Sequence, residues 1–311
     1  MELNRRKTRD LLLSFPLTRE ILFFIYQKKV YKRFVDKKIT AILKGNRKLS
    51  EKRIDNLVVS LTSFPQRIAE VKYAVYSLLD QTVLPEKIIL WLGENKFINK
   101  ERDLPEELLG FKKYGLEIKW CEDIRSYTKL IPALKQYPNH YIVIADDDIY
   151  YKRKWLEKLW NEHLKYPDNV ICHVAHKMLF KSKDILPYVL WKKCIKKGEG
   201  FKTFGCGVGG VLYHRRYLHN DIARSDLFLN LAPQADDIWF YFMAILNDNF
   251  VRVVEYPFIR TKYVDPYREY GLNSGYKLST TNVDSNHNDI QIKKVVDYYQ
   301  LDLYSLLNRV L

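Results

Sequence analysis

Apolar residues in the first half of the chain fall into short runs that alternate with stretches of helical periodicity. Runs rich in β-branched and aromatic side chains predict buried strands at 54–61, 87–92, 116–120 and 141–145. Between them, residues 68–79 and 128–135 place apolar side chains on one face of a helix. This alternation predicts an α/β fold with a mainly parallel sheet covered by helices on both sides.

The second half of the chain has a less regular pattern. It predicts a helix at 155–164, a glycine-rich segment followed by a strand at 204–213, a strongly apolar helix at 236–246 and a loop-rich segment at 259–289. Together these changes of pattern predict three parts: an arm at 1–53, a domain at 54–255 with halves 54–150 and 151–255, and a C-terminal loop and helical extension at 256–311.

The positive charge of the chain is concentrated in the N-terminal arm. Residues 1–53 contain 16 Lys or Arg and 5 Asp or Glu, so they carry +11 of the formal +15. Apolar groups interleave with these charges, which predicts a basic amphipathic helical arm on an anionic membrane surface. An alternative is a pair of helices packed on the domain. The low charge of the remaining chain argues against nucleic-acid binding.

The location of the protein is predicted from its apolar runs and its cysteines. The sequence contains no run of 18 apolar residues, so it does not predict a membrane-spanning helix. No small-residue cleavage pattern follows the first apolar block, which argues against a signal peptide. The four cysteines show neither a C-x-x-C pair nor a zinc-like spacing, which is typical of reduced thiols in a cytosolic protein. We therefore expect a cytoplasmic protein, peripheral on the inner face of the cell membrane.

Three consecutive aspartates follow the predicted strand at 141–145. In an extended chain Asp146 and Asp148 point to one side and Asp147 to the other. Two carboxylates on one side suit Mg²⁺ or Mn²⁺, which often share their coordination shell with substrate phosphates. The alternative is a turn whose aspartates cap the helix that starts near Trp155. The position at a strand end favours the metal site, because ligands bind at the carboxyl ends of strands in such sheets.

A second acidic pair, Asp236–Asp237, lies at the start of the segment 236–246 and precedes the apolar helical residues that begin near Ile238. Such a pair can cap the helix, and it can also supply a general base that takes a proton from a substrate hydroxyl. Upstream, Gly205, Gly207 and Gly210 formally satisfy G-x-G-x-x-G. A dinucleotide site needs a helix after this motif, whereas the residues that follow predict a strand. The glycines therefore predict either close backbone approach of a substrate or a β-bulge.

Several segments together resemble GT-A-fold bacterial glycosyltransferases similar to family 2. The likeness covers residues 54–250, and it is carried by VVSLTSFPQRI, YTKLIPAL, YIVIADDDIYY and APQADDIWFYF in that order. The resemblance implies a Rossmann-like GT-A sheet and a nucleotide-diphosphate sugar as donor, with a UDP-sugar favoured. It also implies an inverting, Mn²⁺- or Mg²⁺-dependent transfer to a glycan or lipid-linked acceptor in capsule polysaccharide or lipopolysaccharide synthesis.

The resemblance assigns expected roles to individual residues. Near the nucleotide or its phosphates it places Thr62, Ser63, Arg67, Asp123 and Lys129. Asp146 and Asp147 are expected beside the ribose and the metal, and Asp148 as the firmest metal ligand. Asp237 is expected to be the base and Asp236 to hold the acceptor. His287 is a further candidate for the metal shell, since some GT-A enzymes complete it with a C-terminal histidine.

Two other functions also fit the sequence. A metal-dependent nucleotidyl- or phosphotransferase uses clustered aspartates on an α/β sheet as well. The separate acidic pair and the lack of a G-x-x-x-x-G-K motif disfavour it. A non-catalytic peripheral membrane protein would account for the arm and leave the aspartate cluster unexplained.

Overall fold

An eight-stranded sheet forms the centre of the computed structural model, which describes residues 31–260, 262–265 and 286–309. The strands are β1 Arg53–Ser63, β2 Leu84–Gly93, β3 Leu116–Cys121, β4 Tyr141–Ala145, β5 Val170–Cys172, β6 Ala175–Lys177, β7 Phe180–Lys181, β8 Asp184–Ile185, β9 Glu199–Gly200, β10 Thr203–Gly205, β11 Val211–His214 and β12 Val251–Val253. The helices are α1 Lys32–Leu43, α2 Val71–Leu79, α3 Glu106–Leu109, α4 Ile131–Gln136, α5 Trp155–Lys165, α6 Ser225–Leu231, α7 Asp236–Ile245, α8 His287–Tyr298 and α9 Leu303–Leu307.

The order of the strands in the central sheet is β3-β2-β1-β4-β11-β5-β12-β9. β3, β2, β1 and β4 are paired in parallel, while β11 runs antiparallel to both β4 and β5. The carboxyl ends of the first four strands therefore meet at the same edge of the sheet as the beginning of β11. The predicted fold class is confirmed: a Rossmann-like α/β fold with a mainly parallel central sheet flanked by helices.

The predicted strands are all present, and β1, β2 and β4 each bury a short apolar run. β4 has the predicted bounds, and Ile142 to Ala145 are fully buried. β1 and β2 are longer than predicted because their pairing continues back to Arg53 and Leu84. Two short sheets, β6 with β10 and β7 with β8, lie outside the central sheet and were not predicted as separate strands.

The predicted helix at 128–135 is divided into two elements. A 3-10 turn covers Arg125–Lys129, and α4 begins only at Ile131. Pro132 lies in the first turn of α4, where its missing N–H removes no intrahelical hydrogen bond. The predicted helix at 68–79 likewise begins later, at Val71. The predicted strand within 204–213 is interrupted by a 3-10 turn at Gly207–Gly209.

The described part of the predicted N-terminal arm is a helix packed on the domain. α1 buries Val35, Ile39 and Ile42 in the same hydrophobic core as the sheet. Asp36 accepts a hydrogen bond from the Tyr73 hydroxyl at 2.7 Å. This part of the arm therefore adopts the packed arrangement, and residues 1–30 lie outside the described residues.

The C-terminal part contributes two helices to the core. α8 buries Ile292 and Val295, and α9 buries Leu306 and Leu307. The predicted loop at 259–289 therefore ends at His287, where α8 begins, and its residues 266–285 lie outside the described residues. Across the stretches that the structure describes, no helix is both long enough and apolar enough to cross a membrane.

Candidate functional site

Two groups of carboxylates face each other across the carboxyl edge of the sheet. Asp146, Asp147 and Asp148 follow β4, and Asp236 and Asp237 form the first turn of α7. Lys129 connects the groups: its Nζ lies 2.9 Å from Asp146 Oδ1 and 3.1 Å from Asp236 Oδ2. The fold thus brings together two motifs separated by about 90 residues in the sequence.

The three aspartates do not alternate between two sides as an extended chain would require. The strand ends at Ala145 and the chain turns at 147 and 148. As a result Asp147 and Asp148 share one partner, Arg67, while Asp146 pairs with Lys129. The capping alternative is also wrong, since the N-cap residue of α5 is Lys154 and its side chain makes no capping hydrogen bond.

Arg67 holds the second and third aspartates in place. One of its terminal nitrogens donates to Asp147 Oδ1 at 2.8 Å and lies 3.1 Å from Asp148 Oδ2. Ser63, at the end of β1, donates its hydroxyl to Asp147 Oδ2 at 2.5 Å. Burial disfavours the guanidinium charge, but Asp147 and Asp148 outweigh it and raise the pKa of Arg67. The cluster is therefore a buried, charge-compensated group.

Lys129 is held in a buried position by the residues of β1 and β2. Its carbonyl oxygen accepts from Ser60 Oγ at 2.6 Å, and Ser60 in turn accepts from Trp91 Nε1 at 3.0 Å. Burial opposes the ammonium charge, yet the surrounding carboxylates, with Asp146 and Asp236 the strongest, raise its pKa well above the usual value. Lys129 is therefore a permanent cation at the point where the two acidic groups meet.

Asp237 points toward the glycine loop and does not cap its own helix. The backbone N–H of Gly207 donates to both carboxylate oxygens, at 3.0 and 3.1 Å, and the N-cap residue of α7 is Ala235, without a side-chain capping bond. Burial and the neighbouring Asp236 raise the pKa of Asp237 to about 7, although Lys129 and Gly207 act in the opposite direction. The residue keeps some solvent exposure, so a substrate hydroxyl can reach it.

The rest of the glycine loop is fixed by contacts beneath it. Trp155 donates from Nε1 to the carbonyl of Gly209 at 2.6 Å. Gly210 has φ +85°, and a Cβ there would lie 2.3 Å from the Trp155 ring. A Cβ on Gly207 would lie 2.7 Å from Asp237 Oδ1. The glycines are therefore required by close packing of the loop against Trp155 and Asp237.

Two of the predicted nucleotide-binding residues lie outside this cluster of ion pairs. Asp123 follows β3, accepts from the Arg125 N–H at 2.9 Å and lies 3.6 Å from Lys96 Nζ. Thr62 donates its hydroxyl within the sheet, to the carbonyl of Trp91 at 3.0 Å. Asp123 lies at the carboxyl edge of the sheet, where the aspartate cluster also lies. The Thr62 hydroxyl is already hydrogen-bonded to the neighbouring strand β2.

The candidate metal ligands offer part of what a divalent cation requires. Asp148 and Asp146 provide the hard oxygen atoms that Mg²⁺ and Mn²⁺ prefer. Over residues 31–260, 262–265 and 286–309, no three His, Cys, Asp or Glu side chains gather closely enough to hold a metal. His287 lies at the start of α8, where its Nδ1 is 3.2 Å from Gln234 Oε1. Asp146 and Asp148 are paired with Lys129 and Arg67, so any cation bound here would take most of its ligands from phosphates and water.

Several contacts at the site could not be found from the sequence. The Gly207 N–H donor to Asp237, the Trp155 support of the loop and the Ser60 contact to Lys129 all join residues that are more than 25 positions apart. The Tyr151 hydroxyl, which accepts from the Asp146 N–H at 2.7 Å, lies close in sequence, but no pattern distinguishes it from a core tyrosine. The predicted acidic and basic side chains were the only signal available.

The chain has distant likenesses among solved structures. No protein family and no curated protein matches it. The chain is similar to a solved structure of CMP-2-keto-3-deoxy-manno-octonic acid synthetase complexed with CTP, with 11% identity, a TM-score of 0.39 and coverage of 66% of this chain and 90% of that chain. It is also similar to the inositol-1-phosphate CTP transferase from T. maritima, with 13% identity, a TM-score of 0.40 and coverage of 70% and 89%. This likeness is too weak to carry an argument about function, and the glycosyltransferase family 2 resemblance is not confirmed.

Proposed function

We propose that the protein is a transferase that uses a nucleotide-activated substrate at the edge of the sheet where Asp146–Asp148 meets Asp236–Asp237. The observation that carries this proposal is the position of Asp237. The residue is partly exposed, its pKa is raised, and it lies next to Asp236, which Lys129 links to Asp146 after β4. Such a group can be deprotonated near neutral pH and accept a proton from a substrate.

The first candidate reaction is glycosyl transfer from a nucleotide-diphosphate sugar, with a UDP-sugar favoured. Asp237 takes the proton of an acceptor hydroxyl, whose oxygen forms a bond to the anomeric carbon. The bond from that carbon to the diphosphate breaks, and the nucleoside diphosphate leaves with the bonding electrons. A divalent cation, when bound by Asp148 and Asp146 together with the phosphates, would neutralise charge on the leaving group. The acceptor would be a glycan or a lipid-linked sugar.

The second candidate reaction is nucleotidyl transfer, which the two buried cations favour. Lys129 and Arg67 lie among the aspartates, where they can stabilise the charge that develops when an acceptor oxygen attacks a phosphorus atom. In this reaction the new bond is to phosphorus, and pyrophosphate leaves. A phosphate or carboxylate nucleophile would not need Asp237 as a base, whereas a hydroxyl would.

Product analysis separates the two reactions. The protein is incubated with a panel of nucleotide sugars, or with nucleoside triphosphates and sugar acceptors, with and without Mn²⁺ or Mg²⁺. Free nucleoside diphosphate from a nucleotide sugar supports glycosyl transfer, and pyrophosphate from a triphosphate supports nucleotidyl transfer. Failure of every nucleotide to bind or react would contradict the proposal.

Calorimetry tests the metal-binding part of the proposal. Nucleotide affinity should increase on addition of Mn²⁺ for the wild type, and this increase should be absent in Asp148→Ala because an oxygen ligand is removed. The control is Asp168→Ala, which removes an exposed carboxylate that is not part of the aspartate cluster. An unchanged Mn²⁺ effect in Asp148→Ala would exclude Asp148 as a metal ligand.

A further inference from the structure

Residues 177–202 carry a concentration of positive charge that the composition of the whole chain conceals. This segment, called here the lysine-rich surface, contains eight lysines and only two acidic residues, which gives a net charge of +6. Residues 54–311 as a whole carry +4, so without this segment they carry −2. The lysines are Lys177, Lys181, Lys183, Lys192, Lys193, Lys196, Lys197 and Lys202.

These lysines have no close acidic partner among the described residues. In the part of the chain that the structure describes, none of the eight ammonium groups lies within 4.0 Å of a carboxylate. By contrast, Lys87 and Lys112 each pair with a glutamate, at 2.9 and 2.7 Å. Burial lowers the pKa of Lys177, and the nearby Lys202 lowers it further. An external anion would relieve this repulsion.

The fold brings the lysines together from separate stretches of the chain. β6 pairs with β10, so that Lys177 lies opposite Thr203, and Lys177 also forms an antiparallel bridge with Lys192. The N–H of Met178 donates to the carbonyl of Lys202 at 3.0 Å. Lys181 and Lys183 extend from the β7–β8 hairpin that follows. The charge therefore belongs to one folded surface.

Exposed aliphatic side chains lie among these lysines. Val189 is 48% exposed and Leu190 56%, and both follow directly on Tyr188. The Tyr188 N–H donates to Asp289 Oδ1 at 2.7 Å, which brings Ile290 of α8, 51% exposed, to the same place. Leu179 is also exposed and accepts through its carbonyl from the Leu186 N–H at 2.8 Å. The surface thus combines a group of lysines with apolar side chains that no described residue covers.

The lysine-rich surface adjoins the site at Asp237. The rings of Tyr188 and Trp191 pack on Phe204, with centroids 6.1 and 5.5 Å away. Phe204 contacts Tyr241 of α7 at 5.3 Å, and Asp237 lies one turn earlier on that helix. Packed aromatic rings therefore connect the lysine-rich surface to the helix that carries Asp237.

We infer that the lysine-rich surface docks on an anionic lipid bilayer, with Val189, Leu190 and Ile290 inserted between the headgroups. Lysines that flank exposed aliphatic residues are the combination that binds anionic interfaces, since each lysine gains from the surface potential and each aliphatic group from leaving water. A soluble acidic glycan would use the lysines but would leave the aliphatic groups in water. The bilayer accounts for both features.

The test uses the exposed Cys194, which lies within this surface, as the attachment point for an environment-sensitive fluorophore. Cys172 and Cys206 are buried, and the partly buried Cys121 is removed by Cys121→Ser. With the full-length protein, vesicles containing phosphatidylglycerol should shift the emission to the blue, and phosphatidylcholine vesicles should not. A label that stays in water while the protein sediments with the vesicles would overturn the inference, because binding would then come from elsewhere in the chain.

A charge-matched pair of variants tests the role of the lysines. Lys181→Gln, Lys183→Gln, Lys196→Gln and Lys197→Gln together should weaken partitioning onto phosphatidylglycerol vesicles by about tenfold or more. The control replaces Lys100, Lys112, Lys113 and Lys135 with Gln, which removes the same charge from exposed positions on the other half of the molecule. Equal partitioning of the two variants would contradict the inference.

Two further measurements distinguish a bilayer from a soluble acidic polymer as the partner of this surface. Val189→Asn with Leu190→Asn should reduce both partitioning and the blue shift while the lysines remain. A label that responds to a soluble acidic polysaccharide, and not to vesicles, would assign the surface to an acidic acceptor and overturn the bilayer inference. None of these readouts depends on catalysis, so the docking surface and the proposed transferase activity can fail independently.

Discussion

The carboxylate of Asp237 is bound to the backbone N–H of Gly207 through both of its oxygens, at 3.0 and 3.1 Å. This contact links the first turn of α7 to the loop between β10 and β11. The glycine loop thereby orients the proposed base, and Lys129 lies nearby, paired with Asp236. The properties of Asp237 thus depend on two neighbours that can each be changed separately.

The proposed base predicts the pH dependence of the reaction. Because the pKa of Asp237 is raised to about 7, kcat/KM should increase as the pH rises through about 7 and then level off. Asp237→Asn should lower kcat by roughly a hundredfold or more while nucleotide affinity is kept. The exposed Asp168→Asn serves as the control and should behave as wild type. A fully active Asp237→Asn would remove this residue as the base.

Gly207 provides a steric test of the same contact. A Cβ at Gly207 would lie 2.7 Å from Asp237 Oδ1 and 3.3 Å from Lys129 Nζ, so Gly207→Ala should displace the carboxylate and reduce kcat by about tenfold or more. Gly205→Ala is the matched control, because its Cβ would meet only ordinary contacts of 3.4 to 3.7 Å. The two variants are compared by steady-state kinetics and thermal unfolding. Similar losses of kcat in both would argue against a specific role for Gly207.

Lys129 should control the pH at which the base becomes active. Its ammonium group lowers the pKa of Asp237, in opposition to burial and Asp236. In Lys129→Met the rise of kcat/KM should therefore move to higher pH, by about one unit or more. Lys135→Met removes an exposed lysine from the neighbouring helix α4 and should leave the profile in place. A profile for Lys129→Met that coincides with wild type would contradict the electrostatic link.

The fold was largely predictable because its central strands are buried on both faces. Apolar runs such as 141–145 leave a strong signal, and the alternation with helices restricts the topology. The short strands β6 to β10 carry no comparable signal, since they are two or three residues long. The start of α4 lies later than predicted because the 3-10 turn at Arg125–Lys129 runs almost directly into the helix, and no helix-breaking residue separates the two elements.

The site was predictable only in its charged residues. The sequence indicated Asp146–Asp148 and Asp236–Asp237 as acidic groups, but it could not reveal that Lys129 joins them. Backbone donors such as the Gly207 N–H carry no residue-type signal at all. The lysine-rich surface was concealed for a different reason: when residues 54–311 are counted together, its charge of +6 is spread over 258 residues and partly offset by the −2 of the others.

The raised pKa of Asp237 also predicts how stability depends on pH. The unfolded chain releases this proton near pH 4, whereas the folded protein keeps it until about pH 7. Between these values the folded state binds more protons, so this group makes the free energy of unfolding decrease as the pH rises.

Asp237→Asn lacks this titration, and the difference between the variant and the wild type isolates it. The free energy of unfolding of the variant, minus that of the wild type, should grow from pH 4 to pH 7 by at least about 1 kcal/mol and then stay constant. The buried His163, His173 and His176, whose pKa values burial lowers to about 4, destabilise both proteins as the pH falls and cancel in the difference. Urea denaturation of both proteins at several pH values measures this difference in the free energy of unfolding. A difference that is flat across this range would show that Asp237 ionises normally in the folded protein, and its assignment as a base active near neutral pH would then fail.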